Sequence, residues 1–101
     1  KPFLVTDIGA GAIYGYRNQN MCKWTEEYQA KALENQITAV LNQEGCSGIY
    51  ILQFCDVRIS NEWFSNRPRT MNNKGIVDEY RRRKLSYDVV KRLYHSYPDF
   101  R

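Results

Sequence analysis

The sequence predicts an α/β chain built on one parallel βαβ unit, with a further helix at its C-terminal end. Three observations carry that prediction. A β-rich run, Phe3 to Thr6, and a nearly continuous apolar run, Ile49 to Phe54, flank a long segment of helical periodicity. Continuous rather than alternating apolar character suits a strand of a parallel sheet, buried on both faces. A second helical pattern then closes the chain. With 101 residues, 43% of them hydrophobic and 26% charged, the chain suffices for one ordinary domain and has the balance of a folded protein.

The elements follow in order. Phe3 to Thr6 ends at Asp7, and Ile8-Gly9-Ala10-Gly11-Ala12 is a small-residue stretch suited to a loop that passes close to other backbone or to a ligand. Thr25 reads as a helix N-cap, with Glu26 and Glu27 in the first turn, where the dipole favours negative charge. Ala30, Leu33, Ile37, Val40 and Leu41 share one face, so a helix is expected over Thr25 to Glu44, with Gly45 as its stop. A polar loop without structure of its own is expected from Cys55 to about Lys74, carrying Trp63, Phe64, Arg67 and Arg69. Leu85, Val89, Val90, Leu93 and Tyr97 fall at helical spacing, and Pro98 follows.

Two strands and two helices do not close a sheet, and both strand edges would be left unpaired. The chain is therefore expected to self-associate or to belong with missing sequence, and to be poorly stable as a monomer. Its opening at a strand reads as a cut made inside something larger.

Composition narrows the function classes. The net charge of +4 is mild, and no nucleic-acid partner is expected from it. No apolar run approaches the roughly 20 residues of a membrane helix, so no membrane role is expected. Cys22, Cys46 and Cys55 lack metal-ligand spacing, and His95 lies far from them. Neither a metal nor a disulfide framework is expected, and reduced thiols suit a cytoplasmic setting.

Three groups could carry chemistry. Asp7 stands at the carboxyl end of a strand before a glycine-rich turn, where α/β barrels place catalytic groups; the alternative is an Asp capping its own turn. Asn72-Asn73-Lys74-Gly75 sets an amide and an ammonium two residues apart, able to meet one anionic or hydroxyl-rich ligand; the alternative is a solvated turn. Arg81-Arg82-Arg83-Lys84 could contact phosphates, but a run of charge ahead of a helix is more often a solvated face.

Four stretches in order carry a resemblance: Lys1-Pro2-Phe3-Leu4-Val5-Thr6-Asp7-Ile8-Gly9-Ala10-Gly11-Ala12, Trp24-Thr25-Glu26-Glu27-Tyr28-Gln29, Gln53-Phe54-Cys55-Asp56, and Arg67 through Asp78 with Asn72-Asn73-Lys74-Gly75 inside it. Together they resemble the C-terminal end of the catalytic barrel of glycoside hydrolase family 2, β-glucuronidases in particular. The resemblance implies a partial (β/α)₈ TIM barrel, with this chain as its seventh and eighth strand–helix units. It implies retaining hydrolysis of β-glycosides by two carboxylates and water, without a cofactor. The family's nucleophile is a Glu at the end of the seventh strand, and its acid/base is a Glu on an earlier strand. Retaining chemistry sets such carboxyls about 5–5.5 Å apart.

By that resemblance Asp7 occupies the nucleophile position, and Asn72 and Lys74 match the Asn-x-Lys motif that binds the sugar carboxylate. A β-glycoside or glucuronide would be the substrate once the rest of the barrel is present, and the isolated chain would be inactive; the alternative is a non-catalytic barrel remnant that serves as a self-association or partner-binding module. Three positions depart from the family pattern. Asp7 is one methylene shorter than Glu, Leu52 replaces a Trp that lines the sugar subsite, and Arg83 replaces a Pro ahead of the last helix.

Overall fold

The computed structural model describes residues 2–59 and 68–96. The element order is β1 (Phe3–Ile8), α1 (Glu26–Leu41), β2 (Cys46–Ile51), β3 (Val57–Arg58), β4 (Met71–Asn72) and α2 (Leu85–Ser96). β1 and β2 pair in parallel across the α1 connection, which gives the small α/β unit that the apolar runs predict.

Helix α1 begins where its capping chemistry places it. Thr25 stays extended and its Oγ1 accepts from the Tyr28 amide at 3.1 Å. Its apolar stripe reaches the core through Leu33 and Ile37, both fully buried, with Val40 and Leu41 packed beside them. The helix stops at Leu41, three residues before the expected end. Asn42 is the C-cap, and its amide donates to the Thr38 carbonyl at 3.2 Å. Gly45, with φ 90°, makes the turn into β2 rather than ending the helix itself.

Helix α2 presents Val90 and Leu93 to Leu33 and Ile37 of α1 and to Ile49 of β2, and these five residues form the core cluster. The Tyr94 hydroxyl donates to the Ile49 carbonyl at 3.2 Å, tying α2 to the strand, and burial pushes its phenol upward in pKa. Tyr97 and Pro98 lie outside the described residues, as do Trp63, Phe64 and Arg67.

Among the described residues β1 and β2 pair only with each other, so each keeps an unpaired edge. Burial is correspondingly one-sided. Ile49 is in the core, whereas Leu4 is 56% and Tyr50 58% exposed. A groove of about 350 Å³ opens between β2 and α2, lined by Tyr50, Phe54, Ile76, Val90 and Tyr94 among others.

The stretch expected to be a structureless loop contains three short elements. β3 and β4 pair antiparallel, Val57 with Asn72 and Arg58 with Met71, and Pro68–Thr70 forms a 3₁₀ turn ahead of β4. Strands of two residues are too short to show a period-2 pattern, so the sequence carries no signal for them.

Candidate active site

Asp7 lies in a β-bulge. Val5 pairs with Ile49 and Ile8 with Ile51, so three steps along β1 oppose two along β2. The extra residue is absorbed with Asp7 at φ 62°, a left-handed conformation that short polar side chains tolerate better than most. Bulges of this kind bend a strand and re-aim a side chain. The Asp7 side chain is exposed, at the carboxyl end of the parallel pair, and among the described residues it makes no hydrogen bond or ion pair.

Backbone contacts connect that end to the segment carrying Asn72 and Lys74. Leu52, after β2, donates its amide to the Ile8 carbonyl at 3.1 Å. The next amide, Gln53, donates to the Lys74 carbonyl at 3.2 Å, and Ile76 donates back to the Gln53 carbonyl at 3.2 Å. The structure thus brings Asp7, Asn72 and Lys74 to one end of the sheet, where open α/β folds place their ligands.

The Asn72–Gly75 turn is fixed from inside. Asn72 Oδ1 accepts from the Lys74 amide at 3.0 Å, an Asx turn. Asn73 points inward and is buried, and its Nδ2 donates to the carbonyls of Pro68 at 2.9 Å and Met71 at 3.1 Å. Asn72 and Lys74, on either side, stay half-buried, and the Lys74 ammonium makes no ion pair among the described residues. A motif that could have been a solvated turn is an ordered one with its cation unspent.

Under this turn lies a polar cluster. Lys84, 1% exposed, donates to Asp56 Oδ1 at 2.8 Å, the Ala12 carbonyl at 2.7 Å and the Asn73 carbonyl at 3.1 Å. Asp56 Oδ1 also accepts the Gly75 amide at 2.9 Å. Burial pushes the Asp56 carboxyl up in pKa and the Lys84 ammonium down, each against the opposing pull of its partner. Buried Gln29, on α1, donates through Nε2 to Ala10 O at 3.0 Å and Gly75 O at 2.9 Å, and its Oε1 accepts from Ser86 at 2.7 Å. Glu26 is buried too, accepting from the amides of Gly15 at 2.6 Å and Leu85 at 2.8 Å, the latter at the first turn of α2.

Of the run Arg81 to Lys84, the three arginines are exposed, as a solvated face requires, and Lys84 is not. Arg82 turns to Asp78 Oδ2 at 2.5 Å and lies 4.2 Å over the Tyr14 ring, and Arg83 lies 4.4 Å over Tyr87. Lys84 is in the interior. Sequence reading misses the buried roles of Lys84, Asp56, Gln29 and Glu26, whose partners lie far along the chain and leave no local pattern. Among the described residues no group of three His, Cys, Asp or Glu side chains could hold a metal ion, and no helix is long and apolar enough to cross a membrane.

No protein-family model and no curated protein matches the chain. Solved structures do. The β-galacturonidase of Eisenbergiella tayi, glycoside hydrolase family 2, in its galacturonate-bound structure shares 64% identity over 100% of this chain, with a TM-score of 0.93. Its glycerol-bound structure shares 67% over 96%, TM-score 0.91. A β-glucuronidase from an uncultured Clostridium sp. shares 27% over 94%, TM-score 0.82. This chain spans 18%, 17% and 16% of those three chains respectively. Over its whole length, then, the chain resembles a C-terminal segment of glycoside hydrolase family 2 enzymes of the β-glucuronidase and β-galacturonidase kind.

Proposed function

We propose that the chain, residues 1–101, is the seventh and eighth strand–helix units of a (β/α)₈ barrel in a retaining β-glycosidase that hydrolyses uronides. The observation that carries this reading is the 64% identity over the entire chain with a β-galacturonidase bound to galacturonate. The geometry supports it, because the carboxylate and the Asn-x-Lys pair stand at one end of the parallel strands. In this reading Asp7 attacks the anomeric carbon and forms the glycosyl–enzyme, which water then hydrolyses. The second carboxylate, acting as acid and then base, comes from an earlier strand of the barrel. Asn72 and Lys74 receive the sugar carboxylate, the ammonium supplying charge and the amide a directed hydrogen bond. A galacturonide fits the more similar solved structures, and a β-glucuronide fits the motif equally.

The test places these residues in the matched segment of the Eisenbergiella tayi enzyme and assays chromogenic β-galacturonide and β-glucuronide. Asp7→Ala is expected to lower kcat at least a thousandfold, of the order seen when a catalytic nucleophile is removed. Lys74→Met is expected to raise KM for uronides and leave a neutral galactoside unaffected. Full activity in Asp7→Ala would refute the assignment. The chain alone should hydrolyse neither substrate, and turnover by it would overturn the requirement for the missing strands.

A further inference from the structure

The loop after Asp7 and the turn holding Asn72 and Lys74 meet through two buried side chains that have no place in the chemistry. Lys84 donates to one carbonyl of each, Ala12 and Asn73, and Gln29 does the same with Ala10 and Gly75. Asp56 completes the arrangement, holding Lys84 and the Gly75 amide on one oxygen. The two segments also share one direct bond, from the Ala12 amide to the Asn73 carbonyl at 2.9 Å. A lysine hidden from water with all three donors engaged, two of them by backbone carbonyls of different loops, is a spatial tie rather than a solubilising charge.

We propose that Lys84, with Asp56 and Gln29, is a positioning group that fixes the Asn72–Lys74 turn against the loop following Asp7, and so sets where a uronate carboxylate is received. The proposal rests on the reading of Asn72 and Lys74 as carboxylate contacts. A methylene stem with no donor at position 84 leaves both carbonyls without their ammonium, and among the described residues the turn then keeps the Ala12 amide and Gln29 to locate it against the first loop. The asymmetry between one partner and both is useful here. Lys84→Met alone leaves the buried Asp56 carboxylate with the Gly75 amide and, 4.0 Å away, the Arg69 guanidinium, whereas Lys84→Met with Asp56→Asn removes the buried pair and keeps an acceptor for the Gly75 amide.

The experiment is hydrogen exchange read by mass spectrometry on the 101-residue chain, in whatever assembly it forms, with sodium galacturonate and galactose as probes. In both variants peptides spanning 9–13 and 72–77 are expected to exchange at least about tenfold faster, while the α1 and α2 core peptides keep their rates. Galacturonate, and not galactose, is expected to slow 72–77 in the wild-type chain and in neither variant. A folded variant in which both loop peptides keep wild-type rates overturns the proposal, as does one that retains the galacturonate effect. A double variant that fails to fold overturns it too, since the pair would then be supporting more than the two loops. If the loops loosen as expected but galacturonate leaves even the wild-type chain unchanged, the tie stands and the uronate reading of Asn72 and Lys74 falls.

Discussion

Replacing Gly75 with Ala tests how tightly the candidate site is held. A Cβ on Gly75 would stand 2.5 Å from the Asp56 nitrogen, the Cys55 carbonyl carbon and the Val77 carbonyl oxygen. All three are backbone atoms, so no side chain can swing aside, and relief requires one strand of chain to move by about 1 Å against another. That movement opposes a dense set of bonds: Gly75 N to Asp56 Oδ1, Gln29 Nε2 to Gly75 O, and the exchange between Gln53 and the Lys74 and Ile76 backbone. Overpacking costs about 1–3 kcal/mol and each hydrogen bond lost adds about 1 kcal/mol, so Gly75→Ala should lose about 3–4 kcal/mol. That is a large fraction of the 5–15 kcal/mol that is typical of a whole domain. The assay is urea unfolding followed by helical circular dichroism at one fixed protein concentration, since association shifts apparent stability. Gly15→Ala is the internal control. It has open space around its Cβ but φ 82°, so it should lose only about 1–2 kcal/mol from backbone strain. A Gly75 variant no less stable than the Gly15 variant would refute the reasoning.

Three further outcomes follow from the same contacts. Glu26→Ala leaves the Gly15 and Leu85 amides without their acceptor, and should cost about 3 kcal/mol in urea unfolding, with the start of α2 exchanging first; an undisturbed α2 start would count against this role. At Asp78, burial raises the carboxyl pKa but is outweighed by hydrogen bonds from the Arg82 backbone and side chain and from Tyr80, so the group sits below its usual 3.8. Its stabilisation is therefore present above 3.8 and is lost as pH falls through the lowered folded value; Asp78→Asn should be less stable at neutral pH and converge with wild type in acid, as acid titration of the unfolding midpoint would show. Finally, the unpaired edges of β1 and β2 and the exposed Leu4 and Tyr50 lead us to expect self-association, and a particle mass by light scattering that stays monomeric at all concentrations would contradict that.

What could be read in the sequence was what is local. Thr25-Glu26-Glu27 with Leu33 and Ile37 specifies the start and buried face of α1 within a few residues, and the apolar run from Ile49 to Phe54 marks β2 but not its bounds, which are Cys46–Ile51. The candidate residues are legible locally: Asp7 closes the first apolar run, and Asn72 and Lys74 set an amide and an ammonium two residues apart ahead of Gly75. The bulge at Asp7 is not, since it depends on a register between strands separated by a whole helix. By sequence Lys84 belongs to a cationic run, because its four-residue neighbourhood is basic. Its burial follows from acceptors supplied by residues 12, 56 and 73, which no window of sequence contains together. Glu26 and Gln29 looked like ordinary polar helix positions for the same reason.

The division of labour between the two ends of the sheet has a physical cause. Under β2 the core can be apolar, because Leu33, Ile37, Val90 and Leu93 come from helices whose backbone groups are already paired. At the carboxyl end the chain turns repeatedly, and the carbonyls of Ala10, Ala12, Asn73 and Gly75 lie in segments that neither a helix nor a ladder satisfies. Burying such groups without partners costs several kcal/mol in aggregate. Apolar side chains cannot supply those donors, so Lys84 and Gln29 are buried in their place, with Asp56 neutralising the charge. A loop satisfied in this way has one arrangement rather than many, since each donor meets two loops at once. That is the condition a recognition site needs, because an error of about 1 Å between a carboxylate and its cation can cost a hundredfold in rate. Asp7 is held in a comparable way. Its backbone is held in the left-handed region by pairing on both sides, at Val5 and at Ile8, so the direction in which its shorter side chain leaves the strand is set by the sheet and not by its own rotamers.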